Sequence, residues 1–196
     1  MLRHSARGAY TPGPGPHHEA SSMLRIAVVR HAIAEDRNAA LHARHPDAQR
    51  ALTPDGRRKM ELAAAGLRRI LPQPGLVACS PLVRARETAQ IITHVYGTGT
   101  PGPVQTETLA PGFEPRALLE WTRHHAAGTA PVVLVGHEPD LGRWVAWCMG
   151  CAGSAPLEFK KGAACLLEFP AAAGPGEAQL HWALTPRLLR RLGEAG

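Results

Sequence analysis

The stretch that decides the fold is Pro131-Val132-Val133-Leu134-Val135-Gly136-His137-Glu138-Pro139-Asp140-Leu141. Val132 to Val135 is a continuous apolar run with no polar alternation, which suits a strand covered on both faces, the environment of a parallel sheet. The run stops at Gly136, two polar residues follow, and Pro139 opens an amphipathic stretch reaching Met149, as expected for a strand, a tight turn and a helix. The same grammar recurs along the chain. Leu24 to Val29 reads as a strand, and Thr53-Pro54-Asp55 as an N-cap with proline at the first helical position, opening a helix to about Leu71. Leu76 to Cys79 is a second strand, followed by Ser80-Pro81 as another cap and a helix to about Val95. Val104 to Glu107 fits a third strand and Pro115 to His125 a helix; Ala164 to Phe169 and Gln179 to Leu184 are two further β-like segments. Strands alternating with helices imply right-handed βαβ units. The expected fold is a three-layer α/β/α domain with a mostly parallel central sheet flanked by helices and room for an antiparallel edge strand.

Three strand exits in this pattern carry chemically loaded residues: Arg30-His31-Ala32, Ser80-Pro81-Leu82-Val83-Arg84-Ala85 and Gly136-His137-Glu138-Pro139. Ligands of open parallel sheets bind beyond the carboxyl ends of the strands, so side chains at these exits can converge. Two arginines and two histidines there make a cationic pocket suited to a phosphoryl group, whose oxygens accept forked hydrogen bonds from guanidinium. Helix N-termini following the exits add free N–H groups at the same end.

The chain has 196 residues, with 22 Lys and Arg against 16 Asp and Glu and a formal charge of +6. Nineteen of the basic residues are arginine; only Lys59, Lys160 and Lys161 are lysine. The surplus points to an anionic partner, but the basic runs interleaved with aromatics that bind nucleic acid are missing, so none is expected. No apolar run is long enough for a membrane span, and no membrane partner is expected. Four cysteines, Cys79, Cys148, Cys151 and Cys165, are too few for a disulfide scaffold in a chain this long; a cytoplasmic setting is the expectation. Cys148 and Cys151 have the spacing of a metal pair without two further ligands at a comparable spacing, and read as small thiols at a helix end. Gly97-Thr98-Gly99-Thr100-Pro101-Gly102 has the spacing of a dinucleotide-binding turn but follows a helix and is interrupted by proline, so it reads as a loop. Residues 1–22, rich in Pro and Gly, read as a disordered leader, and Met23, just after it, as an alternative start. The folded domain is expected over 23–190, with 191–196 a flexible tail.

Taken in order, Val28-Val29-Arg30-His31-Ala32, Leu52-Thr53-Pro54-Asp55-Gly56, Ser80 to Ala89 and Val135 to Leu141 resemble the motif set of the histidine phosphatase superfamily. Within it the chain is most similar to the short SixA-type phosphohistidine phosphatases. The likeness runs on through Leu109-Ala110-Pro111-Gly112, Glu158 to Ala163 and His181 to Pro186. The resemblance implies a phosphoglycerate-mutase-like fold and a metal-independent phosphatase with no cofactor. His31 would attack phosphorus to form a covalent phosphohistidine, while Arg30, Arg84 and His137 would bind the phosphoryl oxygens. Glu107 is the first candidate for a general acid, with Glu114, Glu35 and Asp36 as others. Loops too short for a cap imply an open site, expected to serve phosphohistidine on a protein. Small phosphate esters or polyphosphate-like anions are the alternative substrates, and a non-catalytic phosphate-binding module is the third reading. Arg37, Arg44, Arg50, Lys160 and Lys161 are candidates for a basic rim.

Overall fold

The strands of the computed structural model, which describes residues 23–38, 46–151, 156–170 and 174–195, form one six-stranded sheet. They are β1 (Leu24–Arg30), β2 (Leu76–Cys79), β3 (Val104–Gln105), β4 (Val132–Gly136), β5 (Ala164–Phe169) and β6 (Gln179–Leu184), in the order β3-β2-β4-β1-β5-β6. Strands β1, β2, β3 and β4 pair in parallel, whereas β5 is antiparallel to both β1 and β6. The antiparallel strand is therefore one position inside the edge, and the edge strand β6 runs with the first four. The proposed leader, residues 1–22, and Arg44 lie outside the described residues.

The apolar runs of β1, β2 and β4 feed two cores. Ala27, Val29, Val77, Cys79, Val133 and Val135 pack on helices α1 (Pro54–Ile70) and α2 (Val83–Tyr96), which bring in Met60, Leu67 and Ile92. The alternate residues Ile26, Val28, Ala78, Val132 and Leu134 pack on α3 (Pro115–His125) and α4 (Asp140–Cys148) through Leu118, Leu119, Leu141 and Trp144. Period-two side chains with apolar residues on both faces are what a doubly covered sheet requires.

Helix α1 starts as expected, with the Thr53 hydroxyl accepting from Gly56 N at 2.9 Å. The helix after β2 starts later than Ser80-Pro81 suggests: its N-cap is Leu82, and the Ser80 hydroxyl is engaged with His137. β3 ends at Gln105, since Thr106 turns the chain into a 3-10 turn, Glu107–Leu109, and caps it with its hydroxyl. Residues 97–103 form no helix, and Gly97 takes φ 78° where it ends α2.

Residues 191–194, expected to be tail, instead complete a helix α5 (Pro186–Glu194), capped by Thr185. It crosses α1 where a Cβ on Gly66 would lie 1.9 Å from Leu189 O and one on Gly193 2.1 Å from Leu62 O. The crossing is thus backbone against backbone and only glycine fits it. Among the described residues, no helix is long and apolar enough to cross a membrane.

Candidate active site

Sheet register brings the three exits together. Val29 and Cys79 both lie opposite Val135, and Arg30 lies opposite Gly136. Past that line the ladder continues for one bond each way: His31 N donates to Gly136 O and Ser80 N to Val135 O, both at 3.0 Å. His31, Ser80 and His137 therefore leave the sheet side by side, and the two imidazole centroids are 5.1 Å apart.

His31 is buried, and its Nδ1 lies 2.7 Å from Ala32 O, an acceptor that requires the proton to be on Nδ1. Nε2 is left with its lone pair, which is the form a nucleophilic imidazole needs. Burial pushes the His31 pKa down to about 3; the Ala32 bond opposes this, while His137, Arg84 and Arg30 add to it. The ring is neutral at pH 7. The His137 pKa is also pushed down to about 3, by burial first and then by Arg84.

Arg84, one of the most buried charged side chains, is held as a fork: Nη1 donates to Asp47 O at 2.8 Å and Nη2 to Asp47 Oδ2 at 3.1 Å. Burial lowers its pKa and Asp47 opposes that. Asp47 Oδ1 also accepts from Arg50 Nε at 2.9 Å and Arg37 Nε at 3.2 Å. Burial works against the Asp47 charge, but Arg84, Arg50 and Arg37 outweigh it and hold the carboxyl below the usual range. Arg30 Nη1 donates to Phe159 O, and Thr88 ties the exits together by accepting from Ala32 N and donating to Arg84 O. Glu138 braces the other side, its two oxygens accepting from Gly142 N and Phe159 N.

Among the described residues, four side-chain nitrogens are buried with no hydrogen-bond partner: Arg30 Nε, Arg84 Nε, His137 Nδ1 and Arg86 Nε. Buried polar atoms without partners are costly and rare, and three of these four belong to the residues expected to bind phosphate. A cavity of about 640 Å³ opens here, lined by Arg30, His31, Arg84, Arg50, Arg37, Lys161, Glu35, Asp36 and Glu138 among others. Of the expected rim, Arg37, Arg50 and Lys161 line it; Lys160 lines a separate, largely apolar depression beside Phe159. Glu35 and Asp36 reach the cavity as well. Glu107, exposed at the start of the 3-10 turn, is not among the lining residues; nor is His137, which is buried beside His31; and Glu114 caps α3 by accepting from Ala117 N. Cys148 is buried and Cys151 exposed.

The sequence model of the histidine phosphatase superfamily (branch 1) matches residues 26–109. An uncharacterized protein of Picosynechococcus sp. is 40% identical over 122 residues, covering 62% of this chain and 70% of that one. The chain belongs to the histidine phosphatase superfamily. Solved structures agree in fold with this superfamily member. The protein histidine phosphatase SixA complexed with tungstate superposes with a TM-score of 0.69 at 21% identity, covering 85% of this chain and 99% of that one. A phosphoglycerate mutase from Plasmodium falciparum gives 0.58 at 16% identity, covering 82% and 90%. Superfamily membership supports phosphatase activity.

Asp47, Ser80, Thr88 and Glu138 were not singled out for these roles by the sequence reading. Asp47 follows a polar loop and precedes Arg50 by three residues, but nothing local ties it to Arg84, 37 positions away.

Proposed function

We propose that the protein is a metal-independent phosphatase that removes the phosphoryl group from phosphohistidine on a protein through a covalent intermediate on His31. The observation that carries the proposal is the set of unpartnered buried nitrogens on Arg30, Arg84 and His137 around a neutral His31. Phosphoryl oxygens would satisfy the two guanidinium N–H groups, and His137 too when its proton is on Nδ1; positioning with electrostatic stabilisation supplies most of the catalysis in phosphoryl transfer. In the first step the Nε2 lone pair of His31 forms a bond to phosphorus as the bond to the leaving nitrogen breaks, and the leaving imidazole takes a proton from solvent. In the second, water attacks phosphorus, the N–P bond breaks, His31 leaves as the neutral imidazole, and inorganic phosphate departs as the surplus proton of the attacking water returns to solvent.

A leaving imidazole asks less of a general acid than an alkoxide does. Glu107 stands outside the cavity lining, and the acid candidates that do reach it, Glu35 and Asp36, sit exposed on its rim, an arrangement that suits a substrate needing little acid assistance. The exposed rim residues Glu35, Asp36, Arg37 and Lys161 leave the cavity accessible to a side chain carried on another protein. A mutase, which must exclude water to retain its phosphoryl group, fits such a rim poorly. The same volume also accommodates a small phosphomonoester, the second reading. Measuring kcat/KM on a protein-borne phosphohistidine and on an aryl phosphate separates the two. The proposal expects the former to exceed the latter by at least about tenfold, equivalent to 1.4 kcal/mol of transition-state stabilisation. A preference of that size for the monoester overturns it.

A further inference from the structure

Ser80 reads from the sequence as a helix cap, yet α2 starts after it and its hydroxyl does something else. The side chain is fully buried at the end of β2, with Oγ 2.8 Å from His137 Nε2 and accepting from Leu82 N at 3.3 Å. Among the described residues Oγ has no third partner.

Two proton arrangements are open to the Ser80–His137 pair, and counting unsatisfied groups decides between them. If His137 carried its proton on Nε2, Ser80 Oγ would accept twice and its own hydrogen would be buried with no acceptor. His137 Nδ1 would then be a bare lone pair, buried and unpartnered. If Ser80 instead donates to Nε2, its hydrogen and one lone pair are both used, and the single unsatisfied group left is an Nδ1–H. That group is a donor, and a phosphoryl oxygen would satisfy it.

We infer that Ser80 is a positioning residue that holds the proton of His137 on Nδ1, ready to donate to the phosphoryl oxygens. This deepens the proposed phosphatase reading and rests on it for the identity of the anion. His31 also carries its proton on Nδ1, fixed by Ala32 O. The two rings thus share a tautomer but offer opposite edges. His31 supplies a lone pair for phosphorus and His137 an N–H for oxygen, and each assignment is set by a neighbouring oxygen of the protein, Ala32 O or Ser80 Oγ.

Long-range ¹⁵N–¹H correlation spectra of the full chain labelled at histidine nitrogen test this directly, with His31→Asn and His137→Asn providing assignments. The expected result is a protonated Nδ1 and an unprotonated Nε2 on His137 at pH 7, in the unliganded protein. Ser80→Ala should populate the Nε2–H tautomer, weaken binding of inorganic phosphate and lower kcat by about 10- to 100-fold. Ser80→Thr, which keeps the hydroxyl, should retain the wild-type tautomer and most of kcat, separating the hydroxyl from simple packing. A wild-type His137 with its proton on Nε2, or a Ser80→Ala spectrum unchanged from wild type, overturns the inference. Because the tautomer is read without substrate, it can fail while a His31 phosphoenzyme still forms, and the reverse.

Discussion

Lowering the pH from 7 to 5 should destabilise the protein through His31 and His137 alone by about 4 kcal/mol. Both rings are buried, and both are held at a pKa of about 3 against 6.5 in an unfolded chain. A folded-state pKa below the unfolded value means stability that is complete above pH 6.5 and is lost as the pH falls towards 3. At pH 5 the unfolded chain has protonated nearly all of each ring and the folded protein has protonated neither. Linkage puts the difference between pH 7 and pH 5 at about 2 kcal/mol per ring, a sizeable share of a typical domain stability of about 5–15 kcal/mol. Asp47, held below the usual carboxylate range, acts in the same direction but in a lower window. Urea unfolding followed by tryptophan fluorescence at pH 7, 6 and 5 gives the slope for wild type and for His31→Asn/His137→Asn. The double variant should lose about 4 kcal/mol less than wild type over that interval. Parallel pH profiles for the two proteins would refute the argument that these rings are buried and neutral.

Two substitutions examine the rest of the site. Arg84→Lys keeps the charge but cannot span Asp47 O and Asp47 Oδ2 while presenting a further donor, so kcat should fall by about 10²–10³-fold with little change in fold by circular dichroism. A loss smaller than about threefold would show that the fork does not matter. Glu107→Gln should leave hydrolysis of phosphohistidine within about threefold of wild type, since a working general acid contributes about 10²–10⁴-fold. A loss of tenfold or more, with the basic limb of the pH profile gone, would make Glu107 the acid after all.

Much of this architecture was legible in the chain because local and long-range signals agree. The apolar runs at Leu24, Leu76 and Val132, the Thr53-Pro54 cap and the polar exits all specify the same doubly wound sheet. Convergence of Arg30, His31, Arg84 and His137 followed from strand ends in register, a property of parallel sheets rather than of any one motif. Ser80 misled because a serine before proline is a good helix cap, and only the exit of β4 beside it makes His137 the better partner. Helix α5 was missed although Thr185-Pro186 repeats the device of Thr53-Pro54; its short pattern, Leu188, Leu189 and Leu192 among arginines, signals a helix only once α1 offers Gly66 as a seat. The order β4-β1-β5-β6 could not be read at all, since pairing partners are set by tertiary packing. Asp47 was illegible for a related reason: its main role is a contact with a side chain far along the chain.

The most direct test of the central claim is a rapid quench, under alkaline denaturing conditions that spare phosphoramidates, of the protein mixed with a substrate labelled on the phosphoryl group. The account predicts an acid-labile, alkali-stable phosphoenzyme that appears before inorganic phosphate and is absent in His31→Ala. Turnover with no such adduct, or an adduct that persists in His31→Ala, would contradict it.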